Sequence, residues 1–151
     1  MTDFYKQIHQ QIKVFVERLC EDLSADGLLN GIKEIDHVCY RIKYPDRYEP
    51  LKQEFSKIGT LLTEASVHGR LVATFKLNTP VEIDGGYRID VVELPYPRPD
   101  KFYSEGLEHI EVIPINFTRE VAYQYAAGLV KFHEISLEQI IANEKNSMLT
   151  N

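Results

Sequence analysis

A histidine and two glutamates near the middle of the chain have the residue types and the spacing of a metal site. Residues 87–113 predict a strand that ends near Glu93, a proline-rich crossing, and a second strand that carries His109 and Glu111. Successive side chains alternate across a strand, so His109 and Glu111 share a face with apolar neighbours. An ionisable group in such surroundings is costly unless it has a partner. A divalent metal ion is one such partner.

An earlier strand, predicted over residues 35–43, places further polar groups together. Alternation puts Ile35, His37, Cys39 and Arg41 on one of its faces. His37 and Arg41 could simply be solvated, and the strand by itself favours that interpretation. The alternative is that His37 is a metal ligand and that Arg41 binds the anionic group of a ligand.

Composition limits the class of protein. The chain has 151 residues, of which 44% are hydrophobic and 26% charged, as expected for one globular domain with its own core. The net charge of -6 argues against a surface that binds nucleic acid or anionic membranes. No apolar run could span a membrane, and the N-terminal residues do not resemble a signal peptide. We therefore expect a cytoplasmic protein, with Cys20 and Cys39 as buried free thiols.

The elements that position these residues follow from hydrophobic periodicity. Helices are predicted over residues 3–23 and 46–58, and residues 60–67 and 70–77 form a hairpin. Residues 78–86 are expected to be a connection that leads to the strand ending at Glu93. Pro95, Pro97 and Pro99 are expected to keep the crossing out of the sheet.

The last part of the chain predicts a shorter version of the same pattern. A short helix is expected over residues 118–126, and a strand over residues 129–133 carries His133. A final helix runs to about Lys145 and begins with Ser136 and Gln139 as a capping box. The order of elements therefore indicates one complete module and a shortened copy.

Several blocks of the chain resemble the YecM family. They are DHVCYRI, HGRLVATFKLNTPV, VELPYP with GLEHIEVI, and VKFHEISLEQIIANE. The resemblance implies a branch of the vicinal oxygen chelate superfamily, with glyoxalase I and the extradiol dioxygenases as relatives. It implies an α+β fold in which paired βαβββ-type modules form a curved mixed sheet, or cup. We expect a single domain over 1–151, with an N-terminal helix in 1–30, the first module in 33–95 and the shortened second module in 106–145.

The resemblance also implies a set of site residues. Metal ligands on the first and last strands of each module would be His37, Glu93, His109 and His133. Imidazole and carboxylate together suit Zn, Fe, Ni, Co or Mn. Glu111 would act as a general base or orient His109, and Arg41 would bind a substrate carboxylate.

Alternative interpretations stay open at this point. Glu93 and Glu111 could instead form an ordinary ion-pair cluster with Arg41, Arg70 and Arg88. If the metal site exists, the protein is either an enzyme that uses Lewis-acid catalysis on a small oxygen-rich anion or a non-catalytic module that binds a metal or small molecule in the same cup. The shortened second module leaves the cup open, which favours a homodimer.

Overall fold

The computed structural model describes residues 3–150, with side chains as far as residue 147. The helices are α1 (Asp3–Ala25), α2 (Tyr48–Ile58) and α3 (Leu137–Thr150), and short 3-10 turns (Leu29–Gly31 and Pro45–Arg47) precede the first strand and α2. The strands are β1 (Ile32–Arg41), β2 (Gly59–Val67), β3 (Arg70–Ile83), β4 (Tyr87–Pro95), β5 (Gly106–Pro114), β6 (Val121–Gln124) and β7 (Leu129–Phe132).

One curved, mixed sheet contains all these strands in the order β2-β3-β4-β1-β5-β7-β6. β1 pairs in parallel with β4, and β5 pairs in parallel with β7. The antiparallel pair of β1 and β5 joins the two halves. The first half is the complete β1–α2–β2–β3–β4 module, whereas β5–β6–β7 repeats it without the helix and with one strand fewer. The predicted α+β fold with a shortened second module is therefore confirmed.

The N-terminal helix covers one face of this sheet. Its apolar stripe recurs at helical spacing and is at most 2% exposed, and it comprises Ile8, Ile12, Val16, Leu19 and Leu23. These side chains belong to one hydrophobic core with the inner faces of α2 and the central strands. Cys20 and Cys39 are buried free thiols, as predicted. None of the described helices is long and apolar enough to cross a membrane.

Two predicted elements were wrong. β3 continues to Ile83, so the expected connection after Leu77 is part of a strand. Pro80 falls within an irregular stretch of the β3–β4 pairing, where its missing N–H costs no ladder hydrogen bond. Residues 118–126 contain the strand β6 rather than a helix. Thr118 resembles a helix cap, but the valine and tyrosine of β6 favour an extended chain, and pairing with β7 decides the outcome.

The central pair of strands has three register shifts, and two of them are β-bulges directly before the site histidines. The extra residue is Asp36 on β1, directly before His37, and Glu108 on β5, directly before His109. A bulge places two residues of one strand opposite one residue of its partner, so alternation restarts after it.

The bulges correct the predicted strand faces. Ile35 and Leu107 were expected to share a face with the histidines, but both pack against the hydrophobic core. His37 and His109 instead lie on the face turned away from α1. The bulges therefore keep the core apolar while they place an acidic residue beside each histidine.

Candidate metal centre

Four side chains on the sheet face opposite α1 converge on one point. His37, Glu93, His109 and Glu111 can each offer a ligand atom, and these atoms all lie within 4.8 Å of one another. In the sheet, Cys39 on β1 pairs with Glu93 on β4 and with His109 on β5, and His37 on β1 pairs with Glu111 on β5. This register brings the four side chains together. The convergence that the sequence predicted for His37, Glu93 and His109 is found. Their identity as metal ligands stays a prediction.

A carboxylate orients each of the two imidazoles. His37 Nδ1 lies 2.7 Å from Asp36 Oδ2, and His109 Nδ1 lies 3.1 Å from Glu108 Oε1. Both histidines are only 2% exposed. In metal-binding histidines, the nitrogen that does not bind the metal commonly pairs with such a carboxylate, which fixes the ring and its tautomer. Here the arrangement leaves both Nε2 atoms facing the cluster.

The Nε2 atoms of these histidines are the buried polar atoms at the centre of the site. Both are buried without a well-oriented hydrogen bond. The Glu111 carboxylate contacts His37 Nε2 as an ion pair, and its Oε2 atom lies 3.6 Å from His109 Nε2. Buried polar atoms are nearly always satisfied, so this convergence calls for a further positive partner. The residues present therefore fit a divalent cation.

Electrostatics support the same conclusion. Burial lowers the pKa of His37, but hydrogen bonds to Asp36 and Glu111 outweigh it and raise this pKa to about 10. Burial raises the pKa of Glu111, but His109 and His37 hold it well below its usual range. Without a metal, a proton on His37 supplies the positive charge that these carboxylates require. A divalent cation can replace that proton and carries more charge.

Arg41, the predicted anion-binding residue, is already paired. Its Nε donates to Glu108 Oε2 at 2.9 Å, and its guanidinium carbon lies 4.9 Å from the centre of the Tyr103 ring. His109 and Arg41 together lower the pKa of Glu108 to about 2, despite its partial burial. Arg41 therefore stabilises the carboxylate that orients His109.

His133 is not part of the converging group. β7 ends at Phe132, and the next residue directs its Nε2 at Glu111 and its Nδ1 at Glu120, 3.3 Å away. The residue of β7 that pairs with Glu111 is Lys131, whereas the matching position of the first module holds Glu93 beside Cys39. The shortened module thus offers a lysine where the first module offers a carboxylate, and Glu111 on β5 supplies the second carboxylate.

The alternative of an ordinary arginine cluster is not what the structure contains. Among the side chains of residues 3–147, Glu111 forms ion pairs only with histidines, and Arg88 lies 3.8 Å from Glu82. Asp36 and Glu108 were not predicted to be site residues. The one sequence feature that points to them is that each directly precedes a site histidine. Regular alternation, however, would place them on the opposite face of the sheet.

The chain belongs to the YecM protein family, whose sequence model matches residues 4–128. Protein YecM of Escherichia coli (strain K12) is 35% identical over 111 residues, which are 74% of this chain and 58% of that protein. The chain thus spans less than two thirds of the length of this curated relative. A solved structure of the structural genomics protein EC4020 has a TM-score of 0.67 at 22% identity, and covers 95% of this chain and 97% of that chain. A Streptomyces coelicolor methylmalonyl-CoA epimerase has a TM-score of 0.42 at 14% identity, over 67% of this chain and 96% of that chain.

Proposed function

We propose that the protein binds one divalent metal ion and uses it in vicinal oxygen chelate chemistry on a small oxygen-rich anion. His37, His109, Glu93 and Glu111 would hold the ion. The observation that carries this proposal is the convergence of two buried Nε2 atoms, both beside Glu111, with two carboxylates within 4.8 Å. Imidazole and carboxylate together suit Zn, Fe, Ni, Co or Mn, and this set does not choose among them.

A bound metal would act as a Lewis acid that polarises two neighbouring oxygens of the substrate. The side chains around it have separate tasks. Asp36 and Glu108 hold the imidazoles in one orientation, which preserves the site between turnovers. Glu111 is assigned to the ligand set, because it lies against both Nε2 atoms.

Glu93 is the carboxylate best suited to accept a proton from the substrate. It is half-buried, and among residues 3–147 its side chain makes no hydrogen bond or ion pair that would hold it in place. A carboxylate without a fixed partner can bind the ion or move to take a proton, whereas Glu111 is held by its contacts to histidines. The base role that the sequence suggested for Glu111 is therefore proposed for Glu93 instead.

A second candidate function is supported by the number of donors. Four protein ligands can saturate a tetrahedral ion, and closed sites of this kind are structural rather than catalytic. In that case the protein would bind a metal without transforming a substrate. The two candidates differ in whether an exogenous oxygen donor can reach the ion.

A cobalt substitution experiment separates them. The visible spectrum of Co²⁺-loaded protein should change when oxalate, a bidentate oxygen donor, is added, and change little with acetate at equal ionic strength. This result is expected if the bound ion has open coordination positions that oxalate can occupy. A spectrum that saturating oxalate leaves unchanged would rule out the catalytic proposal in favour of a closed metal-binding site. A panel of small anions with adjacent oxygens would then identify the reaction.

A further inference from the structure

Three arginines meet at one end of the proposed site. Arg70 begins β3, Arg41 ends β1, and Arg98 lies in the proline-rich crossing between β4 and β5. The crossing is held against β3, because the Tyr96 N–H donates to the Leu71 carbonyl at 2.8 Å. Burial, and then the charges of Arg98 and Arg41, lower the pKa of Arg70. Arg98 and Arg41 are therefore each close enough to Arg70 for the like charges to repel.

The charges of this cluster are only partly balanced within the protein. Glu108 pairs with Arg41 at 2.9 Å, whereas Arg70 and Arg98 have no ion pair in the part of the chain that the structure describes. Arg70 Nη1 donates to the Val67 carbonyl at 3.2 Å, but its Nε is buried without a partner. A buried guanidinium N–H without an acceptor costs free energy, and neighbouring like charges add to that cost. Oxygens of a bound anion would remove both penalties.

The cluster lies on the same side of the sheet as the candidate metal centre. Thr74 pairs with Glu93 and Val72 pairs with Pro95, so Arg70 is the next residue of β3 on that face. At about 3.3 Å per residue, Arg70 begins roughly 13 Å along the strand from Thr74. The Glu93 charge also raises the pKa of Arg70, although it is the smallest of the effects that act on this guanidinium.

We propose that Arg70 and Arg98 bind a second anionic group of the ligand, a carboxylate or a phosphate, separate from the oxygens that bind the metal. This inference rests on the proposed function and narrows the ligand class to a small molecule with adjacent oxygens at one end and an anionic group at the other. Arg41, which was predicted from the sequence to bind the anion, is neutralised by Glu108 and packs over the Tyr103 ring.

Calorimetric titration of metal-free protein with succinate, and separately with inorganic phosphate, tests the anion site. We expect Arg70→Gln and Arg98→Gln to weaken binding of the preferred anion about tenfold or more, because each removes a charge-assisted hydrogen bond. Arg88→Gln is the matched control, because Arg88 is on the neighbouring strand β4 with a side chain 64% exposed, and it should bind like the wild type. Arg70→Lys should bind with intermediate affinity, since it keeps the charge but loses the planar fork. Thermal unfolding of each variant establishes that it is folded.

The outcomes distinguish this inference from the metal proposal. Zn²⁺ affinity, measured on the same variants, should equal that of the wild type. If the wild type binds neither anion, or if both glutamine variants bind them as tightly as the wild type, the anion site is wrong while the metal proposal stands. If the wild type does not bind Zn²⁺, the metal proposal fails, and the two arginine variants still decide whether an anion site exists. A preference for succinate or for phosphate identifies the anionic group.

Discussion

At the residue scale, the site depends on two imidazoles that are buried, oriented and left with one nitrogen each for a ligand. Asp36 and Glu108 determine which nitrogen that is, since each occupies the Nδ1 side of its histidine. The Glu111 carboxylate lies between the two Nε2 atoms. The chemistry of the site therefore follows from contacts that each involve only two or three side chains.

The first prediction concerns pH. Asp36 and Glu111 overcome burial and raise the pKa of His37 to about 10, so a proton occupies the site below that pH when no metal is bound. A metal must displace this proton, and Zn²⁺ affinity should therefore rise with pH and fall as the pH is lowered. Calorimetry at several pH values, in buffers of different ionisation enthalpy, should show proton release on binding. An affinity that is constant between about pH 5 and 8 would remove histidine from the ligand set.

The second prediction concerns Asp36. Asp36→Asn removes the charge that orients His37 but keeps an oxygen that can accept the Leu137 N–H, a bond of 2.9 Å that holds the start of α3. Zn²⁺ affinity should fall roughly ten- to a hundredfold with little change in thermal stability, because the positioning carboxylate acts through the histidine. Asp46→Asn, in an exposed turn, is the control. An unchanged affinity, or equal losses in affinity and stability, would show that Asp36 has only a structural role.

At the element scale, the two bulges are what the sequence could not reveal. Alternation placed His37 and His109 with other polar groups on one face of their own strands, and the resemblance brought both together with Glu93, so the convergence of these three was predictable. A bulge inserts a residue without a characteristic sequence pattern, so Ile35 and Leu107 were assigned to the wrong face of the sheet. The same insertion placed Asp36 and Glu108 next to the imidazoles. β6 was missed for a related reason, because its partner β7 comes later in the chain and local signals favoured a helix.

The third prediction concerns Gly128, which precedes β7 and supports the bulge of β5. A Cβ at this position would lie 2.7 Å from the Phe15 ring and 2.8 Å from the Glu108 carbonyl oxygen. Gly128→Ala should lower the free energy of unfolding by about 1–3 kcal/mol, because backbone and core must shift to make room. Urea unfolding measures the loss.

A matched glycine provides the control for this prediction. A Cβ at Gly31 would meet no atom within 4 Å. Gly31→Ala should change the free energy of unfolding by no more than about 0.5 kcal/mol. If both variants were equally stable, the contact between α1 and the bulge would not be the constraint that the structure indicates.

At the scale of the whole molecule, the two half-sheets have different tasks. The first module supplies His37 and Glu93 and carries α2, while the shortened second module supplies His109 and Glu111 from β5 alone. α1 covers the apolar face of both halves. The surfaces left for contact with a second chain are the sheet face that carries the site and the edge strand β6. In the described chain, β6 has no partner on its outer side.

The fourth prediction is that the protein forms a homodimer through surfaces that α1 does not cover. An edge strand and an open cup are features that a second copy can close. Sedimentation of the full-length chain over a range of concentrations should detect the dimer. A chain without residues 1–30 should aggregate, because the buried stripe of α1 leaves an apolar sheet face behind. A full-length chain that stays monomeric at high concentration, while the shortened chain aggregates, would leave the helix as the cover and contradict the dimer.

The most direct test of the account is a calorimetric titration of chelator-stripped protein with Zn²⁺. The wild type should bind one ion per chain, and His37→Ala and His109→Ala should each abolish that binding, since both Nε2 atoms face the same point. His9→Ala is the control, because His9 stacks on Tyr5 in α1, outside the converging group. A wild type that binds no ion, or histidine variants that bind Zn²⁺ as tightly as the wild type, would contradict the metal centre.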